Sequence, residues 1–297
     1  MTSFVKSMHK KNILNSPRLL EIKKKKKRVI RNRIIFILVC ILVLFIALCF
    51  ISRIPKLNIK SVVIEGNKII DTKDIEKNVN ESMAGYYLYF LPKTNFILLP
   101  KDKIKRELEN TYKRLKDIEV KIKANRILEI TVGERTGVYT WCGVGLPDVG
   151  TKPEENKCYF MDDNGYIFDE APYFSNDVYL KFFGAINASE PAGAKYLIDD
   201  FTSIVNFIEN ISNEDINPSS IFMKDSGEID IYLSGGKLPP NAPKIILNND
   251  ADLIKMAENF QASASTDPLQ TELKEKYELL EYIDLRFGNR VYYRFRQ

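Results

Sequence analysis

The spacing of hydrophobic and polar positions divides this chain into segments of different character. From Ile34 to Ile51, IIFILVCILVLFIALCFI, eighteen apolar residues follow one another without Gly, Pro or charge. At 1.5 Å per residue they make about 27 Å of helix, close to a bilayer core of about 30 Å. The pattern therefore predicts a transmembrane helix over 34–52. Beyond it, IKSVVIEG (59–66) reads as a strand ended by Gly66, with Asn67 in the turn, and a helix capped by Asp71 or Thr72 runs to about Met83 with Ile75 and Val79 one turn apart. GYYLYFLPKTNFILLP (85–100) is apolar but broken by Pro92 and Lys93 and too short to span again. It is either a loop packed on the core or one whose tyrosines rest at the level of the lipid headgroups. Lys101 to Tyr112 has Ile104, Leu108 and Tyr112 on one helical stripe, and DIEVKIKANRILEITVGE gives two alternating strands around Ala124 and Asn125.

YFMDDNGYIF (159–168) predicts a hairpin with Asn164 and Gly165 in left-handed turn geometry. Over 283–295 the period is two: Ile283, Leu285, Phe287, Val291, Tyr293 and Phe295 occupy one parity, and Asp284, Arg286, Arg290 and Arg294 the other. Arginine interleaved with tyrosine would also suit stacking on unpaired bases, but strict parity is the mark of a strand. The stretch is one long strand, or two short ones around Gly288 and Asn289. The fold class is thus α+β: a single transmembrane helix, a β-α-α-β-β domain, and a mixed β-rich domain with a C-terminal strand.

Charge sets the orientation. Residues 1–33 hold 12 Lys or Arg and one acid, Glu21, whereas the rest hold 32 basic against 38 acidic residues. The basic balance belongs to the tail, and the cluster from Lys23 to Arg33 beside the span places that tail in the cytoplasm and the C-terminal bulk outside. A lysine run here serves topology and anionic lipid rather than nucleic acid. Residues 52–55, Ser-Arg-Ile-Pro, offer no small-x-small cleavage site, so the span is read as retained.

The chain offers no catalytic constellation. Its single histidine, His9, lies in the tail, leaving the outer segment without imidazole as base or zinc ligand. The acidic pairs Asp162 with Asp163 and Asp199 with Asp200 read as solvated turns rather than cation sites, and Gly235 with Gly236 lacks the lysine and helix of a phosphate loop. No metal, cofactor or enzymatic activity is expected. Cys40 and Cys49 lie in the span; Cys142 and Cys158 lie outside, either joined in a disulfide that closes the polar loop GVGLPDVGTKPEENK or as two separate thiols. A membrane-tethered segment without catalytic groups is most simply a binding scaffold. An exposed last strand binds by accepting another strand, unless it is merely an edge protected by its charges.

The β-α-α-β-β order within 57–135 resembles the POTRA domain. Gly66 with Asn67, ILEITVGER (127–135) and Trp141 resemble its version in the FtsQ/DivIB cell-division family. YFMDDNGYIF resembles the opening of that family's β-rich second domain, here 136–297, and YIDLRFGNR its C-terminal feature. Asn125 and Gly137 stand where members commonly carry proline, and 143–157, GGKLPPNAPK and QASASTDPLQ look like inserted loops. The resemblance implies a single-pass scaffold in the inner (cytoplasmic) membrane at the division septum. Its last strand would dock a small bitopic protein of the FtsB/DivIC type, itself paired with an FtsL-type protein, and thereby serve septal cell-wall synthesis. The contact residues so implied, with those of the strand around them, are Arg286, Phe287, Arg290, Val291, Tyr292, Tyr293 and Arg294, Phe287 standing where the family usually has tyrosine. The other reading of a POTRA-like domain is a component of protein assembly or translocation at the membrane; that class usually carries tandem repeats or a β-barrel, and neither is visible here.

Overall fold

A computed structural model describes residues 17–147, 156–174, 178–196, 201–212, 216–235, 238–249 and 251–297. Helix α1 (Pro17–Ser52) is longer than the predicted span, because the basic stretch before Ile34 is itself made of good helix formers and continues the same helix. Among the described residues it is the one helix long and apolar enough to cross a membrane.

Two compact units follow from the packing. One gathers the chain up to Val63 with Asn80–Lys101 and Lys121–Glu129; the other holds Ile64–Val79, Asp102–Val120 and Ile130–Gln297. In chain order the first elements are β1 (Ser61–Glu65), α2 (Thr72–Met83), the short pair β2 (Tyr86–Tyr87) and β3 (Leu91–Pro92), α3 (Lys101–Thr111), β4 (Leu115–Lys123) and β5 (Ile127–Glu134). The strands β1-β5-β4 form a three-stranded sheet in that order. Asp71 proves to be the cap of α2: its carboxylate accepts from the Lys73 N–H at 2.8 Å and its carbonyl from Ile75. The predicted stripes are buried, with Ile75, Val79, Ile104 and Leu108 fully shielded from solvent.

The remaining strands are β6 (Tyr139–Trp141), β7 (Cys158–Met161), β8 (Ile167–Ala171), β9 (Lys181–Phe183), β10 (Pro218–Met223), β11 (Glu228–Leu233), β12 (Lys244–Asn248), β13 (Leu280–Phe287) and β14 (Arg290–Phe295). They make one nine-stranded sheet in the order β14-β13-β12-β11-β10-β9-β6-β7-β8. Its neighbours are antiparallel except β6 with β9, β9 with β10, and β12 with β13. Three helices cover one face: α4 (Phe201–Ile211), α5 (Leu253–Ala264) and α6 (Leu269–Lys276). Phe201, Ile204, Phe207, Ile208 and Ile211 of α4, and Leu253, Met256, Ala257 and Phe260 of α5, recur at helical spacing and pack with Ile229, Ile231, Ile245, Ile283 and Leu285 of the strands in a single core.

Several expectations are corrected. Asn164 is not left-handed; only Gly165 is, at φ +76°. The turn is held instead by the Asp162 carboxylate, which accepts from the N–H groups of Asn164 (3.0 Å) and Tyr166 (2.9 Å). QASASTDPLQ is no open loop, since its first residues finish α5 and its last begin α6. Of the two arrangements left open for the closing stretch, the structure has the two short strands around Gly288 and Asn289. His9, Asp199, Asp200, Gly236 and residues 148–155 of the 143–157 loop lie outside the described residues.

Candidate docking edge at the last hairpin

Gly288 and Asn289 connect β13 to β14 as a two-residue loop closed by the Phe287–Arg290 pair, with Gly288 at φ +67°. The hairpin leans on α5, whose Asn259 amide donates to the Gly288 carbonyl at 3.3 Å. On β14 parity sorts the side chains as the pattern requires, whereas Phe287 of β13, expected in the core-facing row, is exposed because the register shifts between Asp284 and Phe287. Val291, Tyr293 and Phe295 are half-buried against the core, while Arg290, Tyr292 and Arg294 are exposed. Among the described residues β14 is an edge of the sheet, paired only with β13. The Arg296 N–H donates back to Leu279 (2.7 Å), so by the period of two the amides of Arg290, Tyr292 and Arg294 face β13 and those of Val291, Tyr293 and Phe295 face outward. At the hairpin tip Phe287 and Tyr292, 55 % and 46 % exposed, meet edge to face at 5.1 Å. Two exposed aromatic rings fixed against each other beside an open edge are the kind of anchor that interfaces bury.

The arginines divide by role. Arg294 pairs with Glu281 at 3.1 Å across the hairpin. Arg286 is held by Asp284, through Nε at 2.9 Å and a second guanidinium nitrogen at 2.6 Å, and also reaches Glu228 on β11. Arg290 makes no ion pair with a described residue. The row predicted as uniformly outward thus leaves Arg290 as its unpaired member, with Arg286 committed to its own sheet.

Sequence reasoning missed the rest of that commitment. Asp230, 1 % exposed in its side chain, accepts from Lys244 (2.8 Å) and lies 3.0 Å from Lys224, which also pairs with Glu228; the Tyr232 hydroxyl donates to it at 3.2 Å. This ionic band crosses β11, β12 and β13 on the face away from the helices. Burial alone would raise the Asp284 carboxyl, but the hydrogen bonds and charge of Arg286 outweigh it and hold its pKa below the usual carboxylate range. Arg286 is correspondingly more firmly protonated, chiefly through Asp284. The signal available beforehand was the alternation in EIDIYL, which places Glu228, Asp230 and Tyr232 on one side of a strand.

Elsewhere, Cys142 and Cys158 follow directly after the cross-strand pair Trp141–Tyr159 and are joined as a disulfide, Cα to Cα 4.1 Å. Asp162 is consumed by its turn and by Arg135 at 2.5 Å, and no group of metal-ligating side chains occurs among the described residues. A polar cleft of about 640 Å³ is lined by Lys113, Lys116 and Arg135 against Glu109, Asp117 and Asp162. Its charges balance, and Arg135 already pairs with Asp162 through one guanidinium nitrogen, its buried Nε having no partner among the described residues. No known protein-family profile matches the chain, and no curated protein is similar to it.

Proposed function

We propose that this protein is a single-pass scaffold of bacterial cell division of the FtsQ/DivIB kind, with its basic tail in the cytoplasm and its two outer domains recruiting bitopic partners to the septum. The observation that carries the reading is the open edge of β14, where three outward amides, the aromatic pair Phe287–Tyr292 and the unpaired Arg290 stand together. A partner segment that is extended and acidic would complete the ladder there and meet Arg290. The POTRA assignment of 57–135 draws support from the order of two helices between β1 and the β4–β5 hairpin in a sheet ordered β1-β5-β4. The test is capture of the full-length protein from its own membranes under mild detergent, followed by mass spectrometry. Enrichment of small bitopic proteins with septal cell-wall enzymes is the expected outcome. Enrichment of outer-membrane barrel precursors or translocation machinery instead would move the protein to the assembly class.

A further inference from the structure

We infer that the turn Tyr87–Phe90 dips into the outer leaflet of the bilayer and holds the membrane-proximal part of the outer segment on the lipid surface. The inference rests on α1 crossing a membrane and is independent of any role in division.

Depth comes first. The Phe90 ring lies edge to face with Phe45 of α1, centroids 6.4 Å apart. Phe45 is six residues before Ile51, the end of the apolar run, so it sits about 9 Å inside the hydrocarbon boundary measured along the helix. A ring packed beside it is below the headgroups.

The placement is anchored. Ser52, at the helix end, is buried, and its carbonyl accepts from the side-chain amides of Asn58 and Asn95, both at 3.2 Å. The Phe96 N–H donates to Leu57 (3.0 Å) and the Ile59 N–H to Thr94 (2.9 Å), so the strand pair β2–β3 grows from a base tied to the helix exit. These bonds fix where the loop points.

Side-chain chemistry at the tip is the second observation. Leu88 and Tyr89 are 71 % and 90 % exposed, and both have positive φ, +48° and +65°. Leu88 and Tyr89 are the two central residues of the β-turn closed by Phe90 N–H to Tyr87, within a three-residue connection; two successive left-handed residues there favour Asn-Gly, and placing Leu-Tyr costs backbone strain as well as hydrophobic exposure. Insertion into lipid removes the exposure and gives that choice of residues a physical reason. The hairpin keeps its backbone polar groups largely paired within itself, with Phe90 N–H to Tyr87 and Lys93 N–H to Gly85, as shallow insertion requires. Tyr86 and Tyr87 fall near its base, and the Lys93 ammonium lies 5.8 Å from the centre of the Tyr87 ring, the arrangement of an interfacial belt facing phosphates.

The test uses the full-length protein in vesicles of phosphatidylethanolamine and phosphatidylglycerol with no other protein. Tyr89→Trp adds one indole to the buried Trp141, which reports the background in the parent. Lipids carrying a nitroxide on the upper acyl chain are expected to remove half or more of the added emission, which is blue-shifted and insensitive to aqueous iodide, while parent emission is unchanged. Combining Tyr89→Trp with Asn95→Ala, which loosens the anchor, is expected to weaken that quenching. Added emission quenched by iodide but not by the acyl nitroxide would overturn the proposal and leave the loop as a surface for another protein.

Discussion

Single side chains fix the two most demanding local geometries. Glu134 ends β5, and its carboxylate accepts from the N–H groups of Lys68 (2.8 Å), Ile69 (3.0 Å) and Ile70 (3.1 Å). Burial opposes its ionisation, yet those amides with Arg114 hold its pKa below the usual value. Glu134→Ala strands the three donors and is expected to cost about 1–2 kcal/mol in urea unfolding, with increased proteolysis at 67–70. Gly66 begins the same loop at φ +97°, and a Cβ there would stand 2.1 Å from the Val132 carbonyl oxygen. Gly66→Ala is expected to lose at least about 1–3 kcal/mol from backbone strain with the clash added, read as a lower urea midpoint at unchanged slope. Asp284 gives a pH signature. Its pKa is depressed on folding, so its contribution to stability is complete above the unfolded value of about 3.9 and is lost as pH falls through the lower folded value. Asp284→Asn should therefore lower the melting temperature at pH 7 and flatten its decline between about pH 5 and 3 relative to the parent.

At the scale of an element, the last hairpin separates folding from binding. The Val291 amide points to the open edge, so Val291→Pro removes a donor that bonds nothing within the sheet, although proline's φ strains an extended strand. Arg290→Glu reverses a charge that no described residue pairs with. An exposed charge of this kind contributes under about 1 kcal/mol, so Arg290→Glu is expected to melt near the parent and Val291→Pro below it but still folded. Both are expected to lose capture of the bitopic partner, the proline variant more completely. Two folded variants that retain the partner as well as the parent would make β14 a protected edge and move the interface elsewhere.

For the whole molecule the decisive quantity is topology. With the proposed orientation, in which the positive flank of α1 stays inside, protease added to intact spheroplasts should digest residues beyond about 60 and spare the tail. Protection of the outer segment would reverse the orientation and remove the ground for an extracytoplasmic scaffold. In the same preparation, unreduced denatured protein should leave Cys142 and Cys158 unalkylated, since the β6–β7 register sets them opposite each other. Full alkylation of both would show the pair to be reduced in its own compartment.

The sequence by itself determined what depends on neighbours a few residues away. Eighteen apolar residues specify a helix of bilayer length, Ile75 with Val79 and Ile104 with Leu108 specify helix faces, and parity over 291–295 specifies which side chains face the core, whereas the register shift before Phe287 turns that ring outward against its parity. Helix α4, with its equally regular stripe from Phe201 to Ile211, is just as legible. Tertiary structure alone decided what depends on pairing between distant strands. The parallel seating of β12 against β13 makes β14 the edge, and the same pairings bring Glu228, Asp230, Lys244, Asp284 and Arg286, up to 58 residues apart, into one ionic band. Arg286 and Arg290 share a parity and a charge, and the local difference is Asp284 two residues before Arg286, where Arg290 has Gly288; the further bond to Glu228 on β11 comes only from strand order, because it and not sequence spacing determines which distant carboxylate a guanidinium meets.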